Sequence, residues 1–219
     1  MEFEKIFEGV YKIGGKLATK NLVPGSKVYG EELVEYGGVE YRLWNPYRSK
    51  LSAAIINNMK SFNIKENDRV LYLGGATGTT SSHISDIIGL GGALFAVEIS
   101  ERNMRQLIEV CSMRKNMVPL LADARDISAY ASIVRKCDIL YQDVSSKEQA
   151  SILNANSALL KQGGYAYFAI KSQSIDVSKN PETIFHETLS EVSEKFKIIE
   201  KIKIEPFDKM HLFVVLQKR

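Results

Sequence analysis

The chain has 219 residues, 45% hydrophobic and 25% charged, which suits one or two packed domains and excludes a disordered chain. Its longest run without a charged residue, Val70 to Ser85, is threaded with Gly, Thr and Ser, so no segment offers the about 20 apolar residues of a membrane span. The formal charge of +3 divides unevenly, as +2 over 1–60, −3 over 61–194 and +4 over 195–219, which excludes a uniformly basic nucleic-acid coat but leaves two basic ends.

Residues 1–47 are rich in Tyr, Val and Gly, with turn signals at Gly14-Gly15, Pro24-Gly25 and Gly37-Gly38. They predict short strands joined by hairpins, with Val39, Tyr41 and Leu43 sharing a face. Between Gly9 and Gly30 lie Lys12, Lys16, Lys20 and Lys27 and no acid, a block that either meets phosphates or forms a solvated face. After Pro46 the pattern changes. Leu51, Ala54, Ile55 and Met59 recur at helical spacing, and Lys50 opens that helix. A second domain therefore occupies 48–219.

From Arg69 strands and helices alternate. The predicted strands are RVLYLGG, ALFAVEIS, NMVPLLADA, CDILYQDV and YAYFAIK. The predicted helices are TTSSHISDIIG, ERNMRQLIEVCSMRKN, SKEQASILNANSALLKQGG (stopped at Gly163-Gly164) and PETIFHETLSEVSEKF. FKIIEKIKI and HLFVVLQ close the chain. The short span Glu205 to Met210 between them leaves no room for a helix, so this last pair is antiparallel. The sum is an α/β, doubly wound sheet with ligands at the carboxyl ends of its parallel strands, preceded by a small β domain. Cys111 and Cys137 are too few for a disulfide framework and read as reduced thiols of a cytoplasmic protein; the acidic start MEFEKIFEGV lacks an export pattern.

The strand ends carry the chemistry. The first runs into LGGATGTT, where Gly74, Gly75 and Gly78 let the backbone approach a ligand beside a helix N-terminus at Thr79 and Thr80. Neither a dinucleotide fingerprint nor a P-loop is present. Glu98 ends the second strand and suits a ribose diol. Asp123, beside the small Ala124, ends the third and suits an exocyclic amine. Asp143 ends the fourth. Together they outline an adenosine pocket, which NAD and S-adenosyl-L-methionine share. Tyr167 and Lys171 match the spacing of a short-chain dehydrogenase pair. That pair needs one helical turn, whereas this segment is β-rich, so the match is fortuitous. At the same rim, Lys171 ends the strand beside Asp143, His211 begins the antiparallel strand, and Lys50 folds over from the preceding helix. Cys111 and Met104 read as core, His186 as surface, and His83 as structural. Trp44, with Arg42, Tyr47 and Arg48, reads equally as a base-stacking group or as packing between the domains.

The segments YRLWNPYRSKLSAAI (41–55), LGGATGTTSSHISD (73–86), VEIS (97–100), LADAR (121–125), YQDV (141–144) and AIKSQSID (169–176) resemble the fibrillarins, specifically their short archaeal form. The resemblance spans nearly the whole chain. It implies a class I S-adenosyl-L-methionine-dependent RNA 2′-O-methyltransferase, with a small N-terminal β domain, acting on rRNA or tRNA sites chosen by a box C/D guide RNA. It also implies a particle with a Nop-type scaffold protein and a kink-turn-binding subunit, with no membrane partner and no metal. Carried over by position, cofactor contacts fall on Gly74, Gly75, Gly78, Thr79, Thr80, Glu98, Ile99, Asp123, Ala124, Asp143, Val144, Ser145 and Ser146. A catalytic Lys-Asp-Lys-His set falls on Lys50, Asp143, Lys171 and His211.

Overall fold

The computed structural model describes residues 2–219. Strands β1 (Phe3–Phe7), β2 (Val10–Ile13), β3 (Lys16–Lys20), β4 (Leu33–Tyr36) and β5 (Val39–Leu43) form an antiparallel sheet in the order β1-β2-β3-β5-β4. The two Gly-Gly pairs turn the β2–β3 and β4–β5 hairpins, with positive φ at all four glycines. One face carries an aromatic cluster in which Phe3 stacks on Tyr36 at 4.5 Å and meets Tyr41 edge-on at 5.6 Å.

The second sheet contains β6 (Arg69–Leu73), β7 (Ala93–Glu98), β8 (Met117–Leu121), β9 (Cys137–Gln142), β10 (Leu160–Lys171), β11 (Phe196–Lys203) and β12 (His211–Lys218) in the order β11-β12-β10-β9-β6-β7-β8. Strands β6 to β10 pair in parallel, and β12 runs antiparallel to both β10 and β11. The parallel strands read as continuous apolar runs because both faces are covered. Val70, Tyr72, Ile139, Tyr141 and Tyr167 face one side, under α1 (Lys50–Ile56), α2 (Thr79–Ile88) and α3 (Glu101–Met113). Leu71, Leu73, Leu140, Ala166 and Phe168 face the other, under α4 (Ala131–Val134), α5 (Gln149–Asn156) and α7 (Pro181–Val192). Among the described residues no helix is long and apolar enough to cross a membrane.

Three expectations change. The helix drawn as far as Gly163-Gly164 ends at Asn156, whose amide nitrogen turns back onto Ile152 O at 3.0 Å and also reaches Ala124 O at 2.9 Å. Strand β10 then begins at Leu160, and the glycines form an irregularity within it, between the pairs Leu160–Cys137 and Tyr165–Ile139. A Cβ on Gly164 would lie 2.9 Å from Asp138 O, so the two strands approach there only because it is glycine. Second, α3 stops at Met113, and α4 and α6 (Ser172–Ile175) are single turns that hydrophobic periodicity is too short to reveal. Third, the open choice at Arg42 and Trp44, base stacking or packing, closes on packing, since both are buried against α2.

That buried face forms the seam between the sheets. Arg42 Nε lies 2.6 Å from Glu31, its Nη1 lies 2.8 Å from Asp86, and Arg114 reaches Asp86 at 2.6 Å. Thr19 Oγ1 donates to Asp86 at 2.8 Å and meets His83 Nδ1 at 2.7 Å, while Tyr29 OH meets His83 Nε2 at 2.8 Å. Trp44 stacks on His83 at 4.8 Å. Trp44 and Arg42 therefore pack between the two sheets, and His83 is structural. Tyr47 and Arg48 remain available at the surface.

Candidate active site

The carboxyl ends of β6, β7, β8 and β9 open into a cleft of about 480 Å³. Gly74, Glu98, Ile99, Asp123, Ala124, Asp143, Val144, Ser145, Ser146 and Lys171 all line it. Gly75, Gly78, Thr79 and Thr80 do not. A Cβ on Gly75 would meet Leu107 and Ala96, and one on Gly78 would meet Val110 and Leu107, so both glycines pack against α3 and the core rather than the cleft. Thr80 Oγ1 donates to Ser49 Oγ at 3.0 Å, tying α2 to the cap of α1.

Gly74 has φ +86 and sits where two strand ends converge, so that a Cβ would lie 2.7 Å from Asp143 O. The absence of a side chain there allows Asp143 to hang over the cleft. Glu98 is fixed by two backbone donors, Ala76 N–H and Ser100 N–H, each at 2.8 Å. Its carboxylate thus shapes the glycine turn while lining the cleft. Ala124 is held from beneath by Tyr130 OH at 3.1 Å and Asn156 Nδ2 at 2.9 Å, both onto its carbonyl. Asp123 pairs with Arg125 Nη2 at 2.6 Å, and hydrogen bonds from that guanidinium hold its carboxyl below the usual carboxylate range. Arg125 also reaches across to Glu148 at 3.5 Å.

Next to the cleft, the four rim residues converge. Lys171 Nζ lies 2.8 Å from Asp143 Oδ1 and donates to Asp143 O at 2.9 Å and Ser145 Oγ at 3.1 Å. Lys50 Nζ, at the first turn of α1, lies 3.2 Å from both Asp143 carboxylate oxygens. His211 is the direct register partner of Lys171 across β10–β12. Its Nδ1 meets Lys209 O at 2.7 Å and lies 2.9 Å from Asp208, and Asp208 in turn lies 3.6 Å from Lys50. The row of charges is thus Lys171–Asp143–Lys50–Asp208, with His211 at its end. Side-chain exposures of 14% at Lys171 and 16% at Asp143 leave the ion pair shielded but reachable. Behind it, Tyr72 and Tyr141 stack at 4.4 Å; burial first, and for Tyr72 next the Asp143 charge, raise both phenols well above 10.0, so they stay neutral.

Sequence reasoning missed Asp208, Arg125 and Asn103. The last two line the cleft, and Asp208 lies in a connector that shows no periodic pattern. An acid three residues before His211 is the only local signal for Asp208. Tyr167, of the dehydrogenase-like pair, points away from the rim into the core. Its hydroxyl accepts from Asn63 N–H at 2.6 Å, which leaves it no part in hydride chemistry beside Lys171. Among the described residues no group of three or more His, Cys, Asp or Glu is placed to hold a metal ion.

The sheet order, the glycine turn and the row of acids at successive strand ends define a class I methyltransferase fold with an N-terminal antiparallel sheet. The chain belongs to the fibrillarin family, whose model matches residues 1–219. It is 50% identical over 218 residues to the fibrillarin-like rRNA/tRNA 2′-O-methyltransferase of Thermococcus sibiricus, covering 97% of this chain and 96% of that protein. It superposes on Aeropyrum pernix fibrillarin, solved in complex with natively bound S-adenosyl-L-methionine, with a TM-score of 0.91 and 41% identity over 99% of this chain and 98% of that one. It superposes equally on the fibrillarin of a fibrillarin/Nop5p complex, at 36% identity and TM-score 0.91 over 99% of this chain and all of the other.

Proposed function

We propose that the chain transfers a methyl group from S-adenosyl-L-methionine to the 2′-hydroxyl of a ribose in rRNA or tRNA. We place it as the catalytic subunit of a box C/D guide-RNA particle built on a Nop-type scaffold, with a kink-turn-binding subunit, acting in the cytoplasm. The observation that carries this reading is the Lys171–Asp143–Lys50 ion-pair group at the edge of a cleft that has acceptors spaced along an adenosine-sized floor. The cleft fits the cofactor. Glu98 offers its carboxylate to a ribose diol, Asp123 and the Ala124 backbone face the position of an adenine edge, and Val97, Ile99, Val144 and Ile152 supply apolar walls. Bound there, S-adenosyl-L-methionine supplies an already activated methyl group.

The protein's own task is then positioning and charge. A ribose hydroxyl is a weak nucleophile; negative charge grows on its oxygen as it attacks, and its proton passes to water at the partly open rim as the O–C bond forms. Lys171 Nζ donates two hydrogen bonds, to Asp143 O and Ser145 Oγ, and stands 2.8 Å from Asp143 Oδ1 as an ion pair, so the ammonium is held in one place. Exchanging the Ser145 hydroxyl for the incoming 2′-oxygen leaves Asp143 holding the lysine in place. Lys50 shares Asp143 from the other side and keeps it from turning toward solvent, and Asp208 links Lys50 to His211. The uneven charge of the chain, with Lys-rich ends and no base-reading module, favours phosphate contacts over sequence choice, leaving target selection to a guide.

The test is methyl transfer to a guided RNA in the assembled particle. Wild type methylates one ribose; Lys171→Ala loses about 10²-fold or more in single-turnover rate while cofactor affinity falls little. Lys171→Arg does not rescue, because the bulkier planar guanidinium does not place one compact charge between Asp143 and the 2′-oxygen. Near-normal turnover in Lys171→Ala, or saturable binding of NAD in place of S-adenosyl-L-methionine, overturns the reading.

A further inference from the structure

We propose that Gln149 is a positioning residue that stands in for a missing β-strand and sets the height of Lys171 above the cleft. Pairing of β9 with β10 ends at Gln142–Phe168, three residues before Lys171, because β9 leaves the sheet to form the cleft loop. Lys171 pairs with His211 of β12 on its other side, yet its own N–H and C=O are directed to the side that β9 has vacated. There the Gln149 carboxamide takes both groups. Its Oε1 accepts Lys171 N–H at 2.9 Å, and its Nε2 donates to Lys171 O at 3.0 Å. The amide reproduces the paired bonds that a neighbouring strand would make.

The same Nε2 donates to Ser146 O at 2.9 Å, within the cleft-lining loop that also carries Asp143 and Ser145, the acceptors of Lys171 Nζ. One side chain thus ties the backbone of the lysine to the loop that grips its ammonium. Gln149 is itself fixed. It is fully buried, and its carbonyl accepts from the buried Gln142 Nε2 at 2.7 Å. All the hydrogen-bonding capacity of the carboxamide nitrogen is used, and no isosteric residue repeats it. A carboxylate has no donor, a protonated acid has one, and methionine has neither donor nor strong acceptor. A shift of the lysine by an ångström is enough to cost ~10²-fold in an oriented reaction.

This inference rests on the methyltransferase reading, and the experiment separates the two. Amide hydrogen exchange on the full chain needs no ligand. The Lys171 N–H of wild type exchanges slowly, and in Gln149→Met it exchanges at least about tenfold faster while Ala169 in the same strand keeps its protection. In the assembled particle Gln149→Met loses ~10- to 10²-fold in single-turnover methylation with KM for RNA within about twofold of wild type. Gln149→Glu shows a pH signature that a general loss of stability does not. Its rate relative to wild type rises as pH falls, because protonation returns one donor and removes the clash of a carboxylate with two carbonyls. Rapid Lys171 exchange in wild type, wild-type turnover in Gln149→Met, or a pH-independent ratio for Gln149→Glu overturns the proposal. An inactive wild-type particle overturns the methyltransferase reading instead and leaves the exchange result standing.

Discussion

Gly74 and Asp208 show how single residues place the charge at the rim. Gly74 is bound to the left-handed region, where an L-residue costs about 1–2 kcal/mol, and it also abuts a carbonyl that cannot retreat without moving the cleft loop. Gly74→Ala therefore displaces Asp143, the residue both lysines share. The expected outcome is about 10²-fold slower methyl transfer together with weaker cofactor binding, measured by single-turnover assay and calorimetry. Unchanged values for both would mean that the loop accommodates a methyl group. Asp208 acts one step further from the reacting atoms, bridging Lys50 and His211 with 36% of its side chain exposed. Asp208→Asn keeps the shape and removes the charge, and its cost is expected at roughly tenfold, well below that of Asp143→Asn, because a partly exposed pair is screened by water. Equal losses in the two variants would place Asp208 at the reacting centre.

At the scale of elements, the α2 entry separates a residue that faces a ligand from one that lets a helix start. Gly78 is the N-cap of α2 at φ +92, and a Cβ would lie 3.3 Å from both Val110 methyls on α3. Gly78→Val thus combines a strained, β-branched positive-φ residue with a crowded helix contact, and is expected to cost about 2 kcal/mol or more of stability. Urea unfolding should show that loss while the folded fraction keeps its affinity for S-adenosyl-L-methionine. A loss of affinity at unchanged stability would put Gly78 on the ligand. From sequence, the glycines of LGGATGTT are indistinguishable, since each is simply a residue without a side chain in a βα turn. What was legible is the frame: apolar runs of strand length, helical periodicity between them, and Gly, Glu, Asp, Asp and Lys at consecutive strand ends. Local pattern carries those features. It does not carry the end of α5, where Asn156 prefers a carbonyl of the adjoining turn to helical continuation. Nor does it carry the Gln149 amide, whose role depends on where β9 leaves the sheet. Lys50 was legible at the rim from its place at the head of the helix before the sheet, and the family motif adds the same set, but its contact with Asp143 spans 93 residues and only the fold makes it.

The whole molecule depends on a seam that composition alone would assign to the surface. Arg42, Glu31, Asp86 and Arg114 are buried between the two sheets with two positive and two negative charges in balance. Desolvating four ions offsets much of their attraction, so the network does more to fix how the sheets dock than to add net stability. His83 lies at its centre. Thr19 gives its proton to Asp86 and so accepts from His83 Nδ1–H, and Tyr29 OH, which also reaches Leu43 O at 3.1 Å, stands 2.8 Å from Nε2, where a neutral imidazole accepts. Burial first, then the guanidiniums of Arg42 and Arg114, hold His83 well below its ordinary 6.5. The unfolded chain takes up a proton near 6.5 and the folded chain does not. The contribution of His83 is therefore complete above that pH and is lost as the pH falls below it, at a slope approaching about 1.4 kcal/mol per pH unit. His83→Gln removes the titration at some fixed cost in packing against Trp44. Urea unfolding at pH 7.5, 6.5 and 5.5 should show the wild type converging on the variant as the medium becomes acidic. Parallel curves across that range would mean that His83 takes up its proton equally in the folded and unfolded chains, and a wild type gaining on the variant in acid would mean that the fold holds the imidazole protonated.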